Sequence, residues 1–338
     1  MSIYVTLFTF TFLTASLFLI IGKHLSTQFS IFKNEDNISL LGGIGFSLAF
    51  YSGILFYYCT RTITFDSQLL YILIFALVIL LLELFDDWRE FSLLKKVIFQ
   101  IIIIGLFLSL GKRIQIYFLP PWVNYLISFL WIMGITNAFN LLDIKDGLCS
   151  GMSCIITLTF GIISLLCKNY ILGAVFFMLS GALLSFYFFN FPPATIYMGN
   201  SGSHFIGFLL GSLSIYLDYA GLDNVGALFA PIILLALPII DTFFLIFARS
   251  KKKILPLRKS DDHIFLRLLQ RKVSYRKALG VMYFLTLSWC TTGIFLTARN
   301  GFVFKILFFI ASLLTFIIMA TITSWGKRLR SILLHHNS

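Results

Sequence analysis

The chain has 338 residues, 59% of them hydrophobic and only 12% charged, and its mean hydropathy is +0.94. A soluble domain carries about 25% charged residues, so water is excluded as the main solvent and an all-α polytopic membrane protein is expected. The net charge of +12 is no sign of nucleic-acid binding, because basic residues also set membrane topology and meet anionic lipid.

Apolar runs long enough to span fall near residues 3–22, 41–60, 67–85, 97–111, 122–136, 150–167, 171–189, 203–219, 225–247, 279–298 and 302–323. This predicts about eleven transmembrane helices, since helices satisfy their own backbone in lipid. The first run has no charge before Lys23, lacks the basic region of a cleaved signal peptide, and reads as a retained span. The longest polar stretch, Arg249 to Lys277, is too short for a core of its own. One integral domain over residues 1–338 is therefore expected, with a loop at 249–277. Cys59, Cys149, Cys154, Cys167 and Cys290 have no metal-ligand spacing and are given no role.

Eleven spans put the termini on opposite sides. Twenty of the 26 basic residues fall on one set of connections, eleven of them between Arg249 and Lys277. The other six are Arg61, Lys112, Arg113, Lys168, Arg299 and Lys305. The positive-inside rule then places the N-terminus outside and the C-terminus in the cytoplasm. A cysteine introduced at Lys252 should resist a membrane-impermeant thiol reagent added to intact cells; labelling from outside would contradict this topology. Acidic residues cluster on the same side: Glu35, Asp36, Glu83, Asp86, Asp87, Glu90, Asp143, Asp146, Asp241, Asp261 and Asp262, against Asp66, Asp218 and Asp223 outside.

The first polar cluster along the chain is Asp86-Asp87, in LELFDDWREFSLLKK. Adjacent carboxylates suit a hard divalent cation, which takes oxygen ligands and keeps positions for water and phosphate. Alternatively one of the pair is a general base, or both form a solvated helix end balanced by Arg89, Lys95 and Lys96. Next, NAFNLLDIKDGL sets Asn137, Asn140, Asp143 and Asp146 at intervals of three. Asn137 can share a helical face with Asn140, and Asp143 with Asp146, but all four cannot unless the helix tightens or breaks. An ionised side chain costs from about 3 to above 10 kcal/mol in a bilayer, which favours a site over a polar loop.

In FFNFPPATIYMGNSGSHFIGF, Pro192-Pro193 ends the seventh run. Gly199, Ser201, Gly202 and Ser203 open the eighth, where unoccupied backbone N–H groups would suit a phosphate. His204 is a packed or capping residue, or a ligand. Asp241, three residues after Pro238, needs a cation or a water-filled cleft. In the last loop, Ile264, Phe265, Leu268 and Leu269 have helical spacing, with Arg267, Arg271 and Lys272 on other faces. This predicts an interfacial amphipathic helix that anchors in lipid or offers basic groups to phosphate. His263 at its start has no neighbouring His or Cys and suits a hydrogen bond to phosphate better than a metal.

The order of these features resembles the polyprenyl-phosphate N-acetylhexosamine-1-phosphate transferase family over nearly the whole chain. The features are GGIG at Gly42 to Gly45, FDD at Phe85 to Asp87 with Ser92 and Lys95, NAFNLLDIKDGL, Asn190 before MGNSGS, Pro-x-x-Asp in the ninth run, and DDH before the amphipathic helix. The resemblance implies eleven spans with the N-terminus outside. It also implies transfer of a sugar 1-phosphate from a UDP-sugar to undecaprenyl phosphate, with release of UMP, at the cytoplasmic face of the plasma (inner) membrane. Mg²⁺ or Mn²⁺ is the implied cofactor, membrane lipid the surroundings, and a homodimer is allowed. The roles carried over are catalytic for Asp86, Asp87, Asp143, Asp146 and His263. They are substrate-binding for Asn137, Asn140, Asn190, Lys95, Asp241 and Arg267, and metal-binding for Asp86, Asp87, Asp146 and Asn200.

The chain departs from the family at three points. Asn200 stands where relatives usually have a metal-binding Asp, so metal affinity is expected to be weaker. Of the histidines common in the last loop only His263 is matched, which argues for a UDP-sugar smaller than the muramoyl-pentapeptide donor. Ile144 follows Asp143 where many relatives have Gly. A catalytically silent homologue is the alternative that Asn200 raises. A transporter is disfavoured, because no internal repeat is found and the charges lie at the interface rather than the midplane.

Overall fold

A computed structural model describes residues 2–29, 32–33, 37–61, 65–89, 91–111, 113–219, 225–251, 262–298, 303, 305–318 and 321. Glu35, Asp36, Glu90, Asp223, Lys252 and Asp261 lie outside the described residues. The chain divides into two compact units, Met1–Asp223 and Asn224–Ser338.

The first unit holds α1 (Ser2–Phe29), α2 (Gly42–Arg61), α3 (Ser67–Arg89), α4 (Leu93–Leu110), α5 (Pro121–Leu142), α6 (Leu148–Leu166), α7 (Tyr170–Asn190) and α8 (Gly199–Tyr216). Sequence punctuation sets these ends. Pro121 opens α5, where a missing N–H leaves nothing unsatisfied. Asn169 caps α7 by accepting the N–H of Leu172 at 3.0 Å. Polarity is inverted relative to a soluble protein. On α3, Leu70, Ile74, Leu77 and Leu81 are exposed while Glu83 and Asp86 are buried, as expected where lipid is the solvent. α8 is the centre of the unit, with Ser201 to Ser214 all buried, and it packs against α3, α5 and α2.

The second unit holds a 3₁₀ turn (Val225–Phe229), α9 (Ala230–Leu234), α10 (Ala236–Lys251), α11 (Ile264–Gln270), α12 (Tyr275–Thr297) and a shorter apolar helix, Lys305–Ile318. The run expected to span continuously over 225–247 is bent by 61° between α9 and α10. Pro238 supplies no N–H to the Leu234 carbonyl and its ring crowds that oxygen. The helix therefore breaks at Leu235 and restarts with Pro238 in its first turn.

Among the described residues, eight helices, α1 to α7 and α12, are long and apolar enough to cross a membrane, and nine if the bent pair counts as one span. Of the other two expected runs, α8 begins with the polar stretch GNSGSH, and Lys305–Ile318 is short. The predicted amphipathic helix exists as α11, but it is only 7 residues long, and its apolar residues Ile264, Phe265 and Leu268 are buried in protein. Phe265 packs edge-on against Tyr275 of α12, with ring centroids 5.2 Å apart. That face is therefore not laid into lipid.

Candidate active site

The ends of α3, α5 and α7 and the starts of α2, α4, α6 and α8 meet at one end of the first unit, joined by hydrogen bonds between polar side chains and backbone. GGIG belongs to this junction. Gly42 and Gly43 donate their N–H groups to the carbonyls of Tyr197 and Met198 at 3.0 and 2.9 Å. A Cβ on Gly43 would come within 2.5 Å of the Gly202 nitrogen, so only glycine lets α2 lie this close to α8.

Asp86 and Asp87 occupy the last turn of α3 and answer to different partners. Asp86, 2% exposed, accepts the N–H of Phe91 at 2.7 Å and the amide Nδ2 of Asn200 at 3.2 Å, and forms an ion pair with Lys96 of α4. Asp87 sits at the start of α8. Its two carboxylate oxygens accept the N–H groups of Asn200 at 3.0 Å and Ser201 at 3.1 Å. A carboxylate there also complements the positive end of the helix dipole. Of the N–H groups at this helix start, those of Asn200 and Ser201 are thus held by Asp87 rather than open to phosphate. Gly199 makes the approach, with φ +74° and no Cβ to strike the Asp87 carboxylate, which a Cβ would meet at 2.7 Å.

The four residues at intervals of three are separated by the end of α5, as helical geometry demanded. Asn137 and Asn140 lie on its last turns, Asp143 follows its end, and Asp146 lies in the turn before α6, where Gly147 takes φ 77°. Asn137 donates to Gln100 of α4 at 3.0 Å, and Asn140 donates to the Asn200 side-chain oxygen at 3.1 Å and to Ser203 at 3.1 Å. Asp146 accepts the N–H of Ala194 at 3.0 Å. Asn190 ties three segments: it accepts from the Gly147 N–H at 3.0 Å and the Ser150 hydroxyl at 2.8 Å, and donates to the Ile196 carbonyl at 3.1 Å.

Asp143 is half-buried, and its carboxyl is pushed up to about 7, first by burial and then by the negative charges of Asp87 and Asp146. A carboxyl raised in the fold favours the protonated state, so its contribution to stability is complete below the ordinary value of 3.8 and is lost as pH rises through 7. In metal-free protein, Asp143→Asn should flatten the fall in melting temperature between pH 5 and pH 8. Parallel curves for wild type and variant would show that this carboxyl is not raised.

The structure also brings in residues that the motifs did not mark. Lys96 reaches Asp86, whereas Lys95 is exposed on the neighbouring face. Two adjacent lysines cannot be told apart by charge, but Gln100, a polar residue in the apolar run of α4, lies one turn after Lys96 and marks the inward face. Deeper in the unit, Glu83 accepts from Gln100 at 3.3 Å and approaches the His204 ring at 3.5 Å. His204 in turn meets the Asn200 carbonyl at 2.9 Å and Asn140 at 3.3 Å. In the second unit, Asp241 is bonded to His263 and to the start of α11, and Arg267 pairs with Asp262 at 2.8 Å.

The carboxylates of Asp86, Asp87, Asp143 and Asp146 lie at this junction, oxygen ligands of the kind a hard divalent cation takes. Among the described residues, however, no three His, Cys, Asp or Glu side chains stand close enough to hold one by themselves. Mg²⁺ commonly takes only one or two carboxylates and completes its shell with water and phosphate, so two carboxylates and an amide suffice. Asn200 presents its amide nitrogen, not its oxygen, to Asp86.

The "Glycosyl transferase family 4" profile matches residues 69–218, from α3 through α8. A Bacillus subtilis (strain 168) protein named probable undecaprenyl-phosphate N-acetylglucosaminyl 1-phosphate transferase is 30% identical over 293 residues, 84% of this chain and 80% of that protein. A putative UDP-N-acetylglucosamine--dolichyl-phosphate N-acetylglucosaminephosphotransferase of Sulfolobus acidocaldarius is 32% identical over 247 residues, covering 69% of this chain and 72% of that protein. A phospho-N-acetylmuramoyl-pentapeptide-transferase of Lactobacillus gasseri is 40% identical, but only over 87 residues, 26% of this chain and 27% of that protein. With identity sustained across helices that build one carboxylate-lined junction, the chain belongs to glycosyl transferase family 4, as a multi-pass membrane protein.

Proposed function

We propose that this protein transfers an N-acetylhexosamine 1-phosphate from a UDP-sugar to undecaprenyl phosphate at the cytoplasmic face of the plasma membrane, starting a lipid-linked envelope glycan. The observation that carries this reading is the gathering of Asp86, Asp87, Asp143 and Asp146 with Lys96 at helix ends of the first unit. The relatives' names supply the substrate class, and the basic bias of the connections supplies the side.

In the reaction an oxygen of the lipid phosphate bonds to the β-phosphorus of the UDP-sugar, the bond from that phosphorus to the bridging oxygen breaks, and UMP leaves with the electron pair. Such transfers depend on positioning and charge neutralisation more than on covalent chemistry. Two of the carboxylates of Asp86, Asp87 and Asp146, with the side-chain amide of Asn200, would hold Mg²⁺ or Mn²⁺, which when bound would supply positive charge to the diphosphate. Lys96, held on Asp86, adds a second positive charge to the site. Asn140 and Asn190 fix the approach of α5, α6 and α8, and so the spacing of the carboxylates. Asp143 has a proton to gain or lose near neutrality.

One observation favours a second reading, a catalytically silent relative. Both carboxylates of the Asp86-Asp87 pair already accept hydrogen bonds from protein groups, and Asn200 takes away one negative charge. Purified protein supplied with undecaprenyl phosphate, Mg²⁺ and a panel of radiolabelled UDP-sugars separates the two. Label in the lipid fraction with equal release of UMP is expected for UDP-N-acetylhexosamine. No product from any donor, with the protein still folded, would leave the silent reading.

A further inference from the structure

The second unit contains a buried Asp–His pair that the first unit's junction does not explain. Asp241 of α10 is 3% exposed and His263, just before α11, is 2% exposed. Asp241 Oδ2 stands 2.7 Å from His263 Nδ1, while Oδ1 accepts the N–H of Ile264 at 2.8 Å. One carboxylate thus holds both the imidazole and the first turn of the helix behind it. Among the described residues, the charged groups near the pair are Arg249, within electrostatic reach of Asp241 and Asp262, and Arg267, which is bonded to Asp262 and lies 4.8 Å over the Phe244 ring. Two guanidinium groups and two carboxylates among the described residues thus stand near the ring.

A carboxylate oxygen offers only lone pairs, so a contact of 2.7 Å to a ring nitrogen requires the proton on that nitrogen. The other ring nitrogen, Nε2, is then the one not committed to Asp241. We propose that Asp241 is a positioning residue for His263: it sets Nδ1 as the donor and leaves Nε2 as the nitrogen that acts on a ligand, and does not itself touch substrate. The hold on the ring stands on its own geometry. What Nε2 acts on rests on the transferase reading above.

Asp241→Asn is a sharp test because its outcome is forced by hydrogen bonding. The Ile264 N–H needs an acceptor, so it claims the amide oxygen, and the amide NH₂ is left facing His263. Nδ1 must then accept, and the ring proton moves to Nε2. The readout is ¹⁵N NMR of imidazole-labelled protein at pH 8. His263 is identified among His24, His204, His263, His335 and His336 by its loss in His263→Gln. Wild type should show a proton on Nδ1, and Asp241→Asn should show it on Nε2 alone. In the transfer assay Asp241→Asn should lower kcat by about 10²-fold while KM for the UDP-sugar stays within about threefold, and Asp241→Glu should recover part of kcat.

A bare Nδ1 in wild type, or the same tautomer in both proteins, would overturn the proposal, as would wild-type kcat in a variant whose tautomer has switched. If Asp241→Asn does not fold, the wild-type spectrum decides by itself: a proton on Nδ1 supports the proposal and a bare Nδ1 sinks it. If wild type transfers no sugar phosphate, the transferase reading fails, and the NMR comparison still decides whether Asp241 sets the ring.

Discussion

Asp87→Asn should lower turnover by about 10²-fold or more at saturating Mg²⁺ and lipid. The substitution is nearly isosteric, so its effect on the fold is bounded. An amide oxygen can still accept one of the two N–H groups, from Asn200 or Ser201, that Asp87 accepts at the start of α8. The other would face an NH₂ group, at a stability cost of about 1 kcal/mol, the usual scale for a lost cap. That is too little to unfold a domain stable by about 5–15 kcal/mol. A large loss of kcat with a small change in melting temperature would therefore report the missing charge. Asp146→Asn should behave alike, since an amide oxygen can still accept the Ala194 N–H that Asp146 accepts. If both variants turn over near the wild-type rate, the carboxylate assignment is wrong.

Asn200→Asp should lower the Mg²⁺ concentration for half-maximal activity by about tenfold, roughly 1.4 kcal/mol. If wild type is silent, it should create activity. Asn200 now bridges two neighbours, donating to Asp86 at 3.2 Å and accepting from Asn140 at 3.1 Å. A carboxylate could keep the bond from Asn140, but its second oxygen would face Asp86 with no proton between them. Without a cation this repulsion should lower the melting temperature, and Mg²⁺ should restore more stability to the variant than to wild type. Superimposable Mg²⁺ titrations with equal maximal rates would show that Asn200 does not face the metal.

Much of the fold could be read from apolar run length, because in lipid the backbone itself demands helices. The bend at Leu235 could not, because Pro238 is compatible with a loosened span as well as a broken one, and packing decides. For the site, adjacent carboxylates and the three-residue spacing located the junction, and the break after Leu142 followed from helical geometry. The direction of the hydrogen bonds did not. The stretch GNSGS reads as an open anion site until Asp87 is seen to fill it from α3, a contact between residues too far apart in sequence for any local pattern. Lys96 is not distinguished from Lys95 by sequence, because charge alone does not report which face of α4 points inward. The pairing of Asp241 with His263 was not legible either, because the polar stretch between them carries no signal of it.

Asp86 and Asp87 are neighbours in sequence, yet Asp86 finds two of its partners early in synthesis and Asp87 finds its helix-start N–H groups late. Phe91 and Lys96 follow Asp86 within 10 residues, so α3 and α4 can enter the membrane as a hairpin with that carboxylate already neutralised. Asp87 must wait for Asn200 and Ser201, 113 and 114 residues further on. At 5–20 residues per second that is on the order of ten seconds. Throughout that interval the nascent chain carries a bare carboxylate at the membrane edge, and the arrival of α8 closes it. A chain stalled before Gly199 would hold every residue of the Asp86-Asp87 and Asp143-Asp146 clusters and still lack the seat for Asp87, so the junction is complete only once α8 has been made.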